Sequence, residues 1–214
     1  MGVSEQDRKR ALQILERLEE AYPDARVELN YSSPFELLVA TILAAQCTDA
    51  KVNQVTATLF KKYRTPEDYV RAPQEELEEA IRPTGFFRNK AKALKGCCQK
   101  LLEDFGGKLP ETVEELASLP GVGRKTASIV LGNAMGKQTI AVDTHVKRVA
   151  QRLGFTSSDK PKQIEKDLME LFPQEKWTRA TNLLVFHGRY TCKARKPNCL
   201  ECPVYDLCPW PEKP

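Results

Sequence analysis

The sequence lacks the features that mark several large classes of protein. It has no apolar run long enough to cross a bilayer, and its N-terminus has no charged segment followed by an apolar one. Nowhere do β-branched and polar residues alternate over a bounded run, so no strand is predicted. Internal repeats and low-complexity linkers are missing as well. We therefore expect a helical protein of the cytoplasm with no targeting signal.

Length, charge and cysteine content narrow the expectation further. A chain of 214 residues can bury a core in one domain or in two small ones. The net charge of +4 is compatible with nucleic acid binding without requiring it. Of the seven cysteines, Cys47, Cys97 and Cys98 fall within helical patterns and are predicted to be buried or nearly buried. The other four crowd together near the end of the chain, which favours a metal site over disulfides.

The most informative stretch is Leu119–Ala127, which reads LPGVGRKTA. Before it, Thr112 and Glu115 form the capping box of a short helix. Gly121 interrupts the helical pattern, and Gly123 offers a second position where positive φ carries no steric cost. The pattern predicts a helix, a tight glycine hairpin and a second helix. Backbone N–H groups at the start of that second helix suit a phosphate.

A nucleotide-triphosphate loop is excluded for this stretch, because that loop needs glycines where Leu119 and Arg124 stand and a strand before them. An ordinary helical hairpin with a glycine turn remains open as an alternative. Lys125 favours the functional interpretation. The positive end of the helix dipole and the neighbouring Arg124 both disfavour its ammonium form, and a free amine is a nucleophile. A solvated surface lysine is the alternative.

Several other helix signals surround the hairpin. Ser4 with Asp7 caps a first helix, and the run Ser33-Pro34-Phe35-Glu36 begins a second one that is apolar all round and therefore central. Asp143 with Thr144 can cap a later helix. The last helix is predicted to stop at Gly188.

Two turns place candidate contact residues. Gln46 follows the apolar central helix, and Phe86 lies on the turn Gly85-Phe86-Phe87. An exposed aromatic side chain at a turn can act as a wedge between base steps, whereas a core anchor for the turn is the alternative. For Gln46, a hydrogen bond to its own turn is an equally good interpretation.

The four late cysteines, Cys192, Cys199, Cys202 and Cys208, contain only one Cys-x2-Cys pair. Structural zinc usually takes two such pairs, so the spacing favours an iron–sulfur cluster while zinc stays open. The first interval, from Lys193 to Pro197, is short and basic, and Lys193 and Arg195 are candidate phosphate contacts. Polar filler between two ligands is the alternative.

Taken together, Leu119–Ala127, Val142–Val146 and the cysteine spacing resemble the endonuclease III family of helix-hairpin-helix DNA glycosylases, over nearly the whole chain. The resemblance implies an all-α, two-lobed fold and a [4Fe–4S] cluster on the four cysteines. One lobe, residues 27–137, would be a six-helix barrel ending in the hairpin. The other, residues 1–26 with 138–214, would carry the cluster loop 192–208.

The resemblance also implies a function, which is base excision repair of duplex DNA by a monomeric, nucleoid-associated enzyme. Lys125 would attack the sugar and Asp143 would stabilise the charge that develops there, in a bifunctional glycosylase and abasic-site lyase for oxidised pyrimidines. A nearby carboxylate would also favour the ammonium form of the lysine. The implied DNA contacts are Gln46, Phe86 (where the family more usually has Leu), Gly121, Val122, Gly123 and His145, together with Lys193 and Arg195. The alternatives are a monofunctional mismatch glycosylase, which would lack the lysine, and a non-catalytic DNA-binding module.

Overall fold

A computed structural model describes residues 3–213 of the chain. Within this range it contains eleven α-helices and no β-strand, which confirms the all-α prediction. None of these helices combines the length and the apolar character that crossing a bilayer demands. In chain order they are α1 Glu5–Ala21, α2 Pro34–Leu43, α3 Asp49–Lys62, α4 Pro66–Arg71, α5 Gln74–Ile81, α6 Phe87–Phe105, α7 Val113–Ala117, α8 Arg124–Ala134, α9 Thr144–Arg152, α10 Pro161–Leu171 and α11 Trp177–Tyr190. Three short 3-10 turns are Arg82–Thr84, Gln174–Lys176 and Cys199–Glu201.

The predicted helix starts follow from local hydrogen bonds. The Ser33 hydroxyl accepts from the N–H of Glu36 at 3.2 Å at the start of α2. At α7 the Thr112 hydroxyl accepts from the N–H of Glu115 at 3.2 Å, and Asp143 caps α9 in the same way. Each bond joins residues three positions apart, which is why the sequence alone reveals it.

Residues 28–137 form one compact unit, which contains α2 to α8. Helix α2 packs against α3, α6 and α8, and its side chains from Leu37 to Leu43 are all buried, as its apolar sequence predicts. The unit contains seven α-helices, of which the shortest, the five-residue α7, begins at the cap formed by Thr112. Cys97 and Cys98 are buried as predicted. Cys47 is half-buried and lies in a bend outside any helix, unlike the prediction.

The second unit comprises the described residues up to Val27 and from Gln138 onward, with α1, α9, α10 and α11. Helix α1 buries the stripe Ala11, Ile14, Leu15 and Leu18 in its core. Arg10 joins the ends of this unit, since its guanidinium donates to the carbonyls of Leu153 at 2.9 Å and Leu207 at 3.1 Å.

Gly188 does not stop α11, and that prediction is wrong. The helix runs on to Tyr190, and Gly188 is buried within it. A Cβ at this position would lie 3.0 Å from the Cβ of His145 and 3.1 Å from a methyl of Val149. The glycine therefore allows α11 to approach α9 closely, and this reason for a glycine depends on residues far away in the sequence.

Candidate functional site

The glycine hairpin forms between α7 and α8 as predicted, but only one of its glycines needs left-handed backbone. Gly121 has φ +76°, and a Cβ there would lie 2.8 Å from the Cβ of Ala93 on α6. Gly123 has φ −93° and is the N-cap of α8, so the expected second positive φ is wrong. The hairpin is thus fixed by one close approach of backbone to α6.

Val122 has a packing role in the hairpin. Its side chain is buried, and its N–H donates to the carbonyl of Leu119 at 3.0 Å. The turn itself therefore uses the N–H of Val122, and a contact of Val122 with DNA stays a prediction. The N–H groups of Gly121 and Gly123, next to the start of the eleven-residue α8, remain the candidate phosphate donors.

Lys125 is the second residue of α8 and is exposed. Its neighbour Arg124 forms an ion pair of 2.9 Å with Glu114 across the hairpin. The amine of Lys125 therefore lies at the surface, in the first turn of a helix whose N-terminus suits a phosphate.

Asp143 caps α9, and both of its carboxylate oxygens are engaged. Oδ1 accepts from the N–H of Val146 at 2.7 Å, and Oδ2 lies 3.1 Å from Nδ1 of His145. The Asp143 side chain is 18% exposed, so it is fixed yet reachable. His145 therefore orients the carboxylate. Lys125 belongs to the unit of residues 28–137 and Asp143 to the other unit.

Gln46 and Phe86 share an unusual backbone conformation. Their φ angles are +53° and +49°, and within residues 3–213 the only other non-glycine residue with positive φ is Lys196, at +50°. A left-handed non-glycine residue costs on the order of 1–2 kcal/mol and often marks a functional segment. All three lie on segments predicted to contact DNA. The Phe86 side chain is 63% exposed, which excludes the core-anchor alternative.

The four late cysteines line one cavity. None of them forms a disulfide. Four thiols around one cavity are the donor set of an iron–sulfur cluster, so the residues present fit that group.

Polar groups surround this cavity. His187 is buried on α11, with Nε2 3.8 Å from Sγ of Cys202 and Nδ1 3.2 Å from the hydroxyl of Tyr22. Burial lowers the pKa of His187 to about 4, so the ring is neutral at pH 7. On α9, Nη1 of Arg152 lies 3.4 Å from Sγ of Cys192. Donors of this kind orient metal ligands and adjust the properties of the bound group.

The basic interval after Cys192 presents its side chains to solvent while its backbone is held. Arg152 donates to the carbonyls of Lys193 at 2.8 Å and Ala194 at 3.3 Å. The side chains of Lys193 and Arg195 are exposed. The interval thus has a backbone held by Arg152 and exposed basic side chains, as a phosphate contact requires.

Residues 39–174 match the HhH-GPD superfamily of base excision DNA repair proteins, which is more than half of the chain. The chain belongs to the HhH-GPD superfamily. Residues 192–208 match the iron–sulfur binding domain of endonuclease III. Within this superfamily, the chain is 50% identical to endonuclease III of Synechocystis sp., over 94% of this chain and 93% of that protein. It is 50% identical to endonuclease III of Bacillus subtilis, over 91% and 89% of the two chains.

The structural comparison agrees with the sequence comparison. A solved structure of a trapped endonuclease III–DNA covalent intermediate is 47% identical, covers 94% of this chain and 95% of its own, and has a TM-score of 0.90. The predicted resemblance, the helix-hairpin-helix glycosylase fold and the [4Fe–4S] cofactor are thereby confirmed. The HhH-GPD protein is a base excision repair enzyme, a DNA glycosylase with abasic-site lyase activity.

Three side chains near these features were missed by the sequence analysis, namely Lys90, Arg152 and His187. For Lys90 a signal existed, because it occupies a position in the buried stripe of α6 that continues with Leu94, Cys97 and Leu101. A lysine at such a position must be compensated by partners. Arg152 and His187 gave no signal, since their partners are distant in the sequence.

Proposed function

We propose that this HhH-GPD protein excises oxidised pyrimidines from duplex DNA and then cleaves the strand on the 3′ side of the abasic site, with Lys125 as nucleophile. The observation that carries the proposal is the exposed amine of Lys125 in the first turn of α8, directly after the glycine hairpin. A hairpin that binds a backbone phosphate would hold the sugar beside that amine. One similar solved structure is a trapped covalent complex of endonuclease III with DNA, and a covalent complex is what an attacking amine produces.

The first step is the displacement of the base. The damaged nucleotide leaves the stack, because its C1′ atom is inaccessible inside a duplex. The Lys125 amine forms a bond to C1′ while the glycosidic C1′–N bond breaks, and the base leaves with that electron pair and takes up a proton. The sugar ring then opens at its C1′–O4′ bond to give a Schiff base between Lys125 and the deoxyribose.

The second step breaks the strand. The Schiff base acidifies the proton on C2′, and loss of this proton expels the 3′ phosphate by β-elimination. Water then hydrolyses the Schiff base and frees Lys125 for another turnover. In this scheme Asp143 stays ionised, stabilises positive charge on the sugar and assists proton transfer, and His145 holds it in place at 3.1 Å.

The remaining predicted residues bind the substrate or hold the cofactor. Gln46 would fill the space left by the extruded base, and Phe86 would wedge between neighbouring bases. The N–H groups of Gly121 and Gly123 would bind a backbone phosphate, and the side chains of Lys193 and Arg195 would also contact phosphates of the duplex. Cys192, Cys199, Cys202 and Cys208 would hold the [4Fe–4S] cluster. When bound, the cluster supplies iron–thiolate bonds that fix its loop.

Borohydride trapping tests the proposal directly. A duplex containing an oxidised thymine is mixed with the protein and sodium borohydride, which reduces a Schiff base to a stable amine. We expect a covalent adduct whose crosslinked peptide contains Lys125, no adduct with Lys125→Ala, and a normal adduct with the control Lys108→Ala, another exposed lysine of the same unit. A crosslink on a different residue, or base release without any adduct, would contradict the assignment.

The same experiment separates the alternatives. A monofunctional mismatch glycosylase releases the base and leaves the strand intact, so it gives neither an adduct nor a nick. A non-catalytic DNA-binding module releases no base at all. The position of Lys125 favours the lyase over both, since neither alternative requires an amine there.

The proposal extends to the organisation and setting of the protein. We assign residues 28–137 as the lobe that carries the hairpin and Lys125, and the other unit as the lobe that carries Asp143 and the cluster. We expect a monomer that acts on the nucleoid in the cytoplasm. Sedimentation of the free protein checks the oligomeric state, and fluorescence microscopy of a tagged copy checks the location.

A further inference from the structure

Lys90 joins the two segments that carry the candidate wedge residues. Its side chain is 5% exposed, and its Nζ donates to the carbonyls of Leu43 and Thr84, each at 2.8 Å. Leu43 is the last residue of α2, and the turn that contains Gln46 follows it. Thr84 precedes Gly85 and Phe86. Because both carbonyl oxygens bind the same nitrogen at 2.8 Å, the Leu43 and Thr84 oxygens are close neighbours.

The two segments resemble each other in a second respect. Each carries an exposed residue in the left-handed region, Gln46 at φ +53° and Phe86 at φ +49°. A left-handed non-glycine residue persists only where its surroundings hold it. For Phe86 a backbone bond contributes as well, since the N–H of Lys90 donates to its carbonyl at 3.0 Å.

Joining two turns through a buried lysine has a free-energy cost, because the ammonium is removed from water. Burial disfavours the ammonium and lowers the pKa of Lys90, whereas an apolar side chain would fill the same space without that cost. The ammonium, however, has three donors and can bind two backbone carbonyls at once. The carbonyl of Leu43 ends a helix and is not used within it, so an external donor is favourable there.

We propose that Lys90 is a positioning residue that fixes the Gln46 segment (residues 44–48) relative to the Phe86 segment (residues 82–86), so that both side chains enter the duplex at the same nucleotide. The inference rests on the proposed function, in which both residues contact the lesion. It assigns to Lys90 no contact with DNA and no part in the bond-breaking steps. Its effect is therefore confined to substrates in which a base must be extruded and replaced.

The variant Lys90→Met tests this, because methionine keeps a flexible apolar stem and lacks the ammonium. Two substrates are compared, a duplex with an oxidised thymine and a single strand with a preformed abasic site. We expect kcat/KM for base excision from the duplex to fall about tenfold or more, since misplacement by about 1 Å can cost up to about 100-fold. Borohydride trapping on the single strand, which has no stack to enter, should stay within twofold of the unmodified protein.

Lys95→Met is the matched control. Lys95 lies on the same helix, and its Nζ also donates to a backbone carbonyl, that of Ala72. Its partner belongs to neither the Gln46 segment nor the Phe86 segment. We expect both activities of this variant to stay within twofold of the unmodified protein. A tenfold loss on the duplex for Lys95→Met as well would show that any such lysine contact matters, and would overturn the specific role of Lys90.

A double-mutant comparison separates positioning from general stabilisation. If Lys90 acts through Gln46 and Phe86, then Lys90→Met should lower duplex activity less than twofold in a Gln46→Ala/Phe86→Ala background. A full tenfold loss in that background, or an equal loss on duplex and single strand, would overturn the proposal. If Lys90→Met does not fold, Lys90→Arg replaces it, and we expect this charged variant to keep its duplex activity within about threefold; a loss shared by both substrates again overturns the proposal.

The controls distinguish this inference from the function it rests on. If the unmodified protein releases no oxidised base and forms no adduct, the proposed function fails, whatever Lys90 does. If the unmodified protein is active and Lys90→Met matches it on both substrates, only the role of Lys90 fails.

Discussion

The Asp143 carboxylate accepts a hydrogen bond from the N–H of Val146 at 2.7 Å, and this bond caps α9. A cap needs an oxygen acceptor and no charge, so Asn serves nearly as well as Asp at this position. Stabilising a cationic sugar needs the charge. The structural and catalytic roles of Asp143 can therefore be separated by two substitutions.

We expect the unfolding free energy of Asp143→Asn to stay within about 0.5 kcal/mol of that of the unmodified protein. Its kcat for base excision should fall about 100-fold or more. Asp143→Ala should lose the activity and also about 1 kcal/mol of unfolding free energy, because it removes the cap. Urea unfolding and single-turnover excision measure the two quantities. An Asp143→Asn variant with full activity would leave Asp143 with the capping role only.

The two hairpin glycines should respond very differently to alanine. Gly121→Ala requires a left-handed alanine and places a Cβ 2.8 Å from that of Ala93, so we expect a loss of about 2 kcal/mol or more in unfolding free energy. Gly123→Ala should change the unfolding free energy by less than about 1 kcal/mol, because φ is −93° there and a Cβ at this position would have no other residue's atoms within 4 Å beyond its chain neighbours.

The variant Ala93→Gly provides a check on the cause. In the Gly121→Ala background it removes the overlap but leaves the left-handed alanine, so part of the lost stability should return. Similar losses for Gly121→Ala and Gly123→Ala in urea unfolding would show that the contact with α6 does not fix the hairpin.

If the basic interval of residues 193–197 contacts phosphates, its removal should change the salt dependence of DNA binding. Each true phosphate contact contributes about 0.9 to the slope of log K against log salt concentration. We expect Lys193→Ala and Arg195→Ala each to reduce the slope by about that amount, measured by fluorescence anisotropy with duplex DNA. Lys166→Ala, an exposed lysine on α10, should leave the slope unchanged. Unchanged slopes for both loop variants would remove the interval from the interface.

Cys97 and Cys98, the two buried cysteines of the unit of residues 28–137, should resist alkylation. Burial raises the pKa of Cys97 to about 12 and raises that of Cys98 as well, and both side chains are about 1% exposed. The thiolate is the reactive form, so iodoacetamide at pH 8.5 should leave both unmodified in the folded protein, as judged by peptide mass spectrometry. Half-buried Cys47 is the internal comparison and should react faster. In urea all three should react alike.

The sequence was sufficient wherever a feature depends on near neighbours along the chain. The caps by Ser33, Thr112 and Asp143 are bonds across three residues, and each is present as predicted. The burial of α2 follows from its apolar composition alone. The cysteine spacing indicated a cluster, since a metal loop of this kind is a local arrangement of ligands.

Where a prediction from the sequence was wrong or incomplete, the contact that decides the outcome comes from a distant part of the chain. The sequence predicts a helix stop at Gly188, whereas in the structure His145 and Val149 pack against this position and leave no room for a side chain. Gly121 and Gly123 look alike in sequence, but in the structure only Gly121 has a positive φ and packs against Ala93. Lys90 lies in the apolar stripe of α6, but only the folded structure shows that its ammonium donates to the carbonyls of Leu43 and Thr84.

The sequence by itself thus determined most of the helices, the hairpin and the cysteine loop, because each depends on residues that are close together along the chain. The repair chemistry followed from the resemblance of these segments to the endonuclease III family. The tertiary structure decided which glycines are tightly packed, which donors surround the cysteine cavity and how the Gln46 and Phe86 segments are joined. Those features depend on atoms that meet only after folding, since close packing and buried charge are properties of neighbours in space.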